Sequence, residues 1–391
     1  MILRNDFKEV INRENTRSAK FEYREKLFGR SDVLPLWVAD MDFASVPELQ
    51  DALIERAKHN VYGYTTYDDD ILNAVKNWLK KRHDYDVNTD LITFSPGVIP
   101  SLHALVQIFT EENDQIVIQP PVYPPFFSVV KAHNRQLVEN PLINNDGHYE
   151  INFDHLEQLF KQGAKAFILC SPHNPVGRVW TKEELEQLAK LCVQYDVYLF
   201  SDEIHADVIF SSYKHYPIAH LNKDIHQLTF TLMAPSKTFN IAGLQASYVI
   251  SPNRDFKKKV DEQLMRQGAM TLNTFAFTAL EVVYNHGEEW LDELIEQLEE
   301  NKQLVNDKLE QSQSNISSVD TEGTYLVWLD FSKTGLKHEE IKRKLNDEAK
   351  VGLNDGKSFG DQGEQFMRIN IASPPSIIEE GIDRIIKAFE S

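Results

Sequence analysis

The chain is organised around residues 231–244, TLMAPSKTFNIAGL. The apolar, β-branched and aromatic run at 228–232 predicts a buried strand that ends at an Ala-Pro-Ser breaker directly before Lys237. A lysine in that position must reach solvent, pair with an anion or serve as a neutral amine. A neutral amine is the nucleophile that forms Schiff bases with carbonyl compounds, but most lysines are solvated surface charges. The motif therefore needs support from other parts of the chain.

Two earlier strands also end in polar residues. The apolar run 167–170 leads into SPHNPVGR, which presents Asn174 between two prolines, and the run 197–200 leads into Asp202. In an open α/β sheet, ligands bind at the carboxyl ends of the strands. We therefore expect Asn174, Asp202 and Lys237 to meet at one edge of a sheet.

Two turns offer further binding groups. The turn SPGVIP at 95–100 joins a predicted strand to a predicted helix, so the amides of Gly97, Val98 and Ile99 could bind an anion such as a phosphate. This turn lacks the glycine-rich signature of nucleotide loops. In QPPVYPPF at 119–126, four prolines predict an extended loop that holds Tyr123. A tyrosine there can stack on a ring and move a proton, or it can be a core aromatic.

Arg368 lies in the apolar strand FMRIN, where a guanidinium needs an anion. A structural carboxylate and a substrate carboxylate both meet that need. Near the N-terminus, VLPLWVADMD at 33–42 predicts a short strand or extended segment that packs inward around Ala39.

Alternating strands and helices predict an α/β fold with a mostly parallel sheet. We expect a large α/β domain at 46–286, and a smaller α+β domain formed by residues 1–45 together with 287–391. A long amphipathic helix from about residue 288 marks the change, and the polar stretch 311–318 is expected to be a flexible loop.

Composition limits the class of protein. The chain has 391 residues, of which 42% are hydrophobic and 26% charged, as in soluble globular proteins. A net charge of −19 argues against nucleic-acid and anionic-membrane partners. Residues 1–6 show no signal peptide and no window is long enough to span a membrane, so we expect a cytoplasmic protein. Cys170 and Cys192 lie at apolar positions typical of reduced, buried thiols.

Two classes of site are not expected. His205, His215 and His220 lie close in sequence, but their spacing, without a cysteine or paired acid, is not that of metal ligands, so no metal site is predicted. The chain also lacks the G-x-S-x-G elbow of a serine hydrolase.

Eight motifs occur in order along nearly the whole chain: WVADMDF at 37–43, GYT at 63–65, PGV at 96–98, QPPVYPPF at 119–126, PHNPVGR at 172–178, SDEIHAD at 201–207, APSKTFNIAGLQAS at 234–247 and FMRIN at 366–370. Together they resemble the MalY/PatB-type C–S β-lyases, which are cystathionine β-lyase-like enzymes. The resemblance implies the fold of aspartate aminotransferase, that is, the class I/II aminotransferase fold of pyridoxal-phosphate (PLP) enzymes called fold type I.

The resemblance also implies roles for the residues at the sheet edge. Lys237 is expected to bind PLP covalently and later to act as general base. Asp202 is expected beside the pyridine nitrogen, where its charge keeps that nitrogen protonated. Asn174 is expected at the phenolic oxygen and the substrate carboxylate, Tyr123 flat on the ring, and Ser236 at the phosphate together with the amides of the PGV turn.

Other implied roles fall on segments far from the lysine. Arg368 and the backbone at Ala39 are expected to bind the substrate α-carboxylate. Tyr64 is expected to reach the cofactor phosphate of the neighbouring subunit, in a homodimer with shared active sites. His205 stands where aminotransferases of this fold carry a tyrosine, and Gln245 stands where they carry a phosphate-pairing arginine. The β-lyase branch shares both departures, and His205 is expected near the phenolic oxygen.

The predicted activity is α,β-elimination on cystathionine or a cysteine S-conjugate, which yields a thiol, pyruvate and ammonia. Two alternatives use the same scaffold. One is an aminotransferase. The other is a PLP-binding regulatory protein that acts through a partner, although such a protein has no need for both the base Lys237 and the carboxylate clamp Arg368.

Overall fold

The structure is a computed structural model that describes residues 5–390. Residues 1–4, which form most of the N-terminal segment searched for a signal peptide, and residue 391 lie outside this range. Within the range, the strands are β1 (Leu34–Pro35), β2 (Ile92–Ser95), β3 (Gln115–Ile118), β4 (Gln136–Glu139), β5 (Ile143–Asn145), β6 (His148–Glu150), β7 (Ala166–Cys170), β8 (Tyr198–Asp202), β9 (Thr229–Met233), β10 (Ser247–Ile250), β11 (Ser317–Ser318), β12 (Leu326–Asp330), β13 (Val351–Gly352), β14 (Asn354–Asp355) and β15 (Phe366–Asn370).

The helices surround these strands. They are α1 (Ala19–Glu22), α2 (Arg24–Phe28), α3 (Pro47–Lys58), α4 (Asp69–His83), α5 (Val98–Phe109), α6 (Pro125–Ala132), α7 (Phe153–Lys161), α8 (Lys182–Tyr195), α9 (Lys223–His226), α10 (Pro235–Thr238), α11 (Arg254–Arg266), α12 (Thr274–His286), α13 (Glu288–Gln311), α14 (His338–Arg343) and α15 (Pro375–Glu390). A turn of π-helix, Lys344–Ala349, extends α14. Thr181 and Glu184 form a capping box at the start of α8.

A seven-stranded sheet forms the centre of the molecule, in the order β2-β10-β9-β8-β7-β3-β4. Its neighbouring strands are parallel except for β10, which runs antiparallel to both β2 and β9. The prediction of a mostly parallel α/β sheet is therefore confirmed. The strands β7, β8 and β9 lie side by side and point the same way, so the segments that follow them emerge at one edge of the sheet.

The strand sequences explain the two helical layers. Along β7, Ala166, Ile168 and Cys170 pack into one apolar cluster, together with side chains of α5, α6 and α11. The alternate residues Phe167 and Leu169 pack into another, together with side chains of α7 and α8. Because side chains alternate between the two faces of a strand, a strand covered on both faces is a continuous apolar run.

A second sheet lies in the C-terminal part of the chain, in the order β11-β12-β15-β14, and all of its pairs are antiparallel. Helices α13 and α15 pack against each other beside it. The N-terminal strand β1 pairs in parallel with β13, so residues near position 35 lie against the C-terminal part. This pairing fits the predicted division into 46–286 and 1–45 with 287–391, which stays a prediction.

Two predicted loops are shorter than expected. The proline-rich segment is irregular only up to Pro124, because α6 begins at Pro125. A proline suits the first position of a helix, since its fixed φ is helical and its missing amide has no partner to lose there. In the polar stretch, Gln311 still belongs to α13, while Ser317–Ser318 forms β11 and Ser318 Oγ donates to Asn306 Oδ1 at 2.6 Å.

Among residues 5–390, no helix combines the length and the apolar composition needed to cross a bilayer.

Candidate active site

A cavity of ≈ 380 Å³ opens at the sheet edge where β7, β8 and β9 end. Its wall contains eleven of the twelve residues that the sequence singles out: Ala39, Gly97, Val98, Ile99, Tyr123, Asn174, Asp202, His205, Ser236, Lys237 and Arg368. Tyr64 does not line it. The geometric expectation that Asn174, Asp202 and Lys237 meet at one edge of the sheet is thus what the structure shows.

Lys237 lies on the one-turn helix α10, directly after β9. Its Nζ donates a hydrogen bond to the carbonyl oxygen of Ala39 at 2.7 Å. Burial, reinforced by the positive charge of Arg368, lowers the pKa of Lys237 to about 8. An amine with such a pKa is neutral in a useful fraction of molecules near neutral pH, and only the neutral form is a nucleophile or base.

Asp202 is the last residue of β8 and is 4% exposed. One carboxylate oxygen, Oδ1, accepts a hydrogen bond from the amide of Ile204 at 3.1 Å. Its carboxylate makes no ion pair with any residue between 5 and 390. Burial therefore raises the pKa of Asp202 to about 7, which indicates a carboxylate that lacks a close cation.

Arg368 lies in the middle of β15 and is 4% exposed. Its guanidinium donates to Asn174 Oδ1 at 2.9 Å, to the carbonyl oxygen of Trp37 at 3.0 Å and to Asn354 Oδ1 at 2.7 Å. All three acceptors are uncharged, and in the described part of the chain no carboxylate pairs with this arginine. Burial lowers the pKa of Arg368 to about 10. Among the described residues, Arg368 therefore has no structural carboxylate as a partner. Its positive charge at the cavity wall stays uncompensated.

The cavity wall also contains the start of α5. Gly97 caps this helix, and Pro96, Val98 and Ile99 line the cavity beside it. Unpaired amides at a helix N-terminus favour a phosphate. Ser236 and Gln245 also line the cavity, and both are neutral.

His205 and Tyr123 complete the wall. His205 is buried, its Nδ1 has no hydrogen-bond partner among residues 5–390, and its ring meets that of Tyr325 edge-on at 5.8 Å. Burial lowers the pKa of His205 to about 3, so the imidazole is neutral. Burial also raises the pKa of Tyr123, which keeps its hydroxyl protonated.

Taken together, these features of the cavity fit PLP. Lys237 offers an amine for an aldehyde, Asp202 a carboxylate without a cation, and the start of α5 a set of amides for a phosphate. The unpartnered Nδ1 of His205 and the uncompensated Arg368 add two polar groups that need a ligand. The described residues hold no cluster of three or more His, Cys, Asp or Glu side chains that could bind a metal ion.

The sequence does not single out three residues that make contacts around the cavity, namely Tyr325, Asn354 and Asn370. Tyr325 Oη donates to the same Ala39 carbonyl that Lys237 uses, at 3.1 Å, and Asn354 is an acceptor for Arg368. Asn370 donates to the carbonyls of Val38 and Asp40 and so holds the segment that carries Ala39. Asn370 belongs to the FMRIN motif, which could have indicated its role. The sequence around Asn354 contains no motif that indicates a role for that residue.

Tyr64 is fully exposed and lies outside the cavity of its own chain.

Cys170 and Cys192 are both buried and free, and burial raises the pKa of both thiols. This agrees with the prediction of reduced, buried thiols.

Comparison with known proteins adds independent information. A family model described as "Aminotransferase class I and II" matches residues 31–385. Cystathionine beta-lyase PatB of Bacillus subtilis (strain 168) is 43% identical to this chain, over 98% of it and 100% of PatB. Protein MalY of Escherichia coli (strain K12) is 31% identical over 99% of each chain. The crystal structure of cystalysin from Treponema denticola, which contains a pyridoxal 5'-phosphate cofactor, has a TM-score of 0.96 and 37% identity over 99% of both chains.

Proposed function

Because the chain belongs to the class I and II aminotransferase family, and within it to the MalY/PatB-type C–S β-lyases, we propose that it cleaves cystathionine or a related cysteine S-conjugate. The chain is a PLP-dependent carbon–sulfur lyase, and its products by α,β-elimination are a thiol, pyruvate and ammonia. One observation supports an amino acid as the class of substrate: the Lys237 amine and the uncompensated Arg368 face the same cavity.

Arg368 binds the α-carboxylate of the amino acid through its guanidinium. A carboxylate supplies the negative charge that the neutral oxygens of Trp37, Asn174 and Asn354 do not. Because Asn174 Oδ1 accepts from Arg368, its Nδ2 remains available for the cofactor or the substrate. This arrangement fixes the α-carbon on the side of the cavity where Lys237 lies.

Lys237 Nζ takes the proton from the α-carbon, for which a pKa of about 8 is suitable. When bound, PLP supplies an electron sink for the pair left at that carbon. The bond between the β-carbon and sulfur then breaks, and the sulfur leaves as a thiolate. Hydrolysis of the remaining aminoacrylate gives pyruvate and ammonia.

Asp202 would hold the ring nitrogen of the cofactor, because a buried carboxylate without a cation gains most from a protonated pyridine. Ser236 and the amides of residues 97–99 would hold the phosphate. Tyr123 would contact the ring, and the neutral imidazole of His205 would contact the phenolic oxygen.

The experiment that tests the activity is incubation of the PLP-loaded protein with cystathionine or an S-alkyl cysteine. We expect pyruvate and thiol in equal amounts without any 2-oxo acid. Strict dependence on a 2-oxo acid acceptor would instead establish an aminotransferase. Absence of turnover with both cystathionine and the S-alkyl cysteine would favour the regulatory protein.

The site is proposed to be shared between two subunits of a homodimer in the cytoplasm. Exposed apolar side chains cluster near Tyr64: Val61 is 61% exposed and Tyr62 is 55% exposed. If Tyr64 reaches the phosphate of the neighbouring subunit, Tyr64→Phe weakens PLP binding without separating the subunits. Equilibrium sedimentation together with a PLP titration measures both, and a monomeric wild-type protein contradicts the proposal.

A further inference from the structure

Behind the cavity, four buried titratable side chains form two histidine–carboxylate pairs. His83 Nε2 lies 2.8 Å from Asp207 Oδ1, and His215 Nε2 lies 2.8 Å from Glu203 Oε2. The two imidazole rings meet edge-on with centroids 5.3 Å apart. None of the four side chains lines the cavity, and the proposed reaction uses none of them.

Asp207 is connected to the turn that carries Lys237. The hydroxyl of Thr238, the residue after the lysine, donates to Asp207 Oδ2 at 2.8 Å. The other carboxylate oxygen accepts from His83 and from Trp78 Nε1, which lies 3.1 Å away. Both of these donors belong to α4, a helix of 15 residues and about 22 Å, so the carboxylate joins the lysine turn to a long element of the scaffold.

The turn needs such an anchor because it is short. Helix α10 contains four residues, and its end is closed by hydrogen bonds from Phe239 N to Pro235 O at 2.9 Å and from Ile241 N to Ser236 O at 3.1 Å. A single helical turn does not stabilise itself, since its nucleation costs more than one hydrogen bond returns. Contacts outside the helix must therefore hold it.

We propose that Asp207 is a positioning residue for Lys237, acting through the Thr238 hydroxyl and held in place by His83 and Trp78. The inference rests on the proposed role of Lys237 as the base and assigns its orientation to a carboxylate outside the cavity.

The charge of Asp207 explains why this anchor is strong. Burial raises the pKa of Asp207, but the hydrogen bonds from His83 and Thr238 and the charge of His83 outweigh burial and lower it below its ordinary value. Asp207 is thus a carboxylate at neutral pH. A hydrogen bond from a hydroxyl to a carboxylate is shorter and stronger than one to a neutral oxygen.

The test compares two buried threonines, Thr238 at the end of α10 and Thr229 at the start of β9. Thr238→Val removes the hydroxyl that reaches Asp207 at nearly constant volume, and Thr238→Ser keeps it. Thr229→Val is the matched control, because Thr229 is also buried and its hydroxyl donates to the carbonyl of Ile225 at 2.8 Å, away from the cluster. Asp207→Asn removes the charge itself.

The first readout is hydrogen exchange at the amides of Phe239 and Ile241 in the apoenzyme. We expect exchange about tenfold faster in Thr238→Val and Asp207→Asn, as for loss of one hydrogen bond to a charged group. Thr238→Ser and Thr229→Val are expected to exchange like the wild type. This readout needs no lyase activity, so an inactive wild-type protein would refute the proposed function and leave this measurement valid.

The second readout is kinetic and uses the PLP-loaded protein. We expect kcat about tenfold lower in Thr238→Val with KM within about twofold, because substrate binding by Arg368 is untouched. Wild-type exchange and kcat in Thr238→Val would overturn the proposal, as would equal effects of Thr229→Val or no rescue by Thr238→Ser. Should Asp207→Asn fail to fold, the threonine series decides the question.

Discussion

Lys20 and Lys237, both in the described part of the chain, have surroundings that differ in one respect. Lys20, near the N-terminus, is fully buried, with Nζ 2.6 Å from a carboxylate oxygen of Asp42 and 3.8 Å from one of Asp40. Lys237, in the cavity wall, donates to the uncharged carbonyl of Ala39. The first environment holds an ammonium ion in place, whereas the second favours a neutral amine.

The buried arginines repeat this contrast. Arg178 is 2% exposed and makes ion pairs with Glu322 at 2.9 Å and Glu184 at 2.8 Å. Arg368 is 4% exposed and meets amide and carbonyl oxygens. Cations of the scaffold thus receive protein carboxylates, while cations of the cavity wall keep their charge available for a ligand. The following experiments test this distinction.

The largest effect is expected at Lys237. Replacing it by methionine removes the proposed base, and a positioned base contributes about 10²-fold to 10⁴-fold to a rate. We expect pyruvate release from cystathionine to fall by at least about 10²-fold, and the bound-cofactor absorbance of the reconstituted protein to change. Retention of wild-type sulfur release in Lys237→Met would refute its role.

The next effect concerns stability at Lys20. Lys20→Met removes one of the two cations that pair with Asp42, and loss of a hydrogen bond to a charged group costs about 1.5–3 kcal/mol. Urea unfolding of the apoenzyme measures this loss. Lys237→Met, treated in the same way, should lose much less, because the Lys237 amine donates to an uncharged carbonyl oxygen and pairs with no carboxylate of residues 5–390. Equal losses in the two variants would abolish the distinction between the two sites.

The arginines allow the same comparison with a kinetic readout. Arg368→Lys removes the planar fork, so we expect kcat/KM to fall by about tenfold to 10²-fold, as for one or two charge-assisted hydrogen bonds. Arg178→Lys serves as the matched control and should lower the free energy of unfolding with little effect on KM. If the two substitutions affected KM alike, Arg368 would not be a specific substrate ligand.

The last effect is a pH dependence of apoenzyme stability. The folded-state pKa of Lys237 is about 8, below its ordinary value of 10.5, so between these pH values the unfolded chain binds a proton that the folded chain does not. The free energy of unfolding attributable to Lys237 therefore rises with pH across this window, by at most about 1.4 kcal/mol per pH unit. The difference between wild type and Lys237→Met in urea unfolding at pH 7.5 and pH 10 measures it. A difference that falls with pH would show the opposite shift.

Local patterns predicted most of the fold because periodicity and strand-end chemistry are local properties. The apolar runs before Asn174, Asp202 and Lys237 indicate covered strands, and the parallel arrangement brings their ends together. Local patterns were less reliable where a helix could begin at a proline, as at Pro125, or where side-chain bonds order a polar stretch, as at Ser318.

By itself, the sequence determined the order of strands and helices, the family, and the presence of Asn174, Asp202 and Lys237 at the ends of neighbouring strands. Only the tertiary structure decided which cations receive carboxylates. The partners of Lys237 and Arg368 come from segments up to 331 residues away, such as Ala39 for the lysine and Trp37 for the arginine. Whether a buried charge is paired depends on groups that packing brings together from distant parts of the chain. A local sequence pattern contains no information about such distant partners.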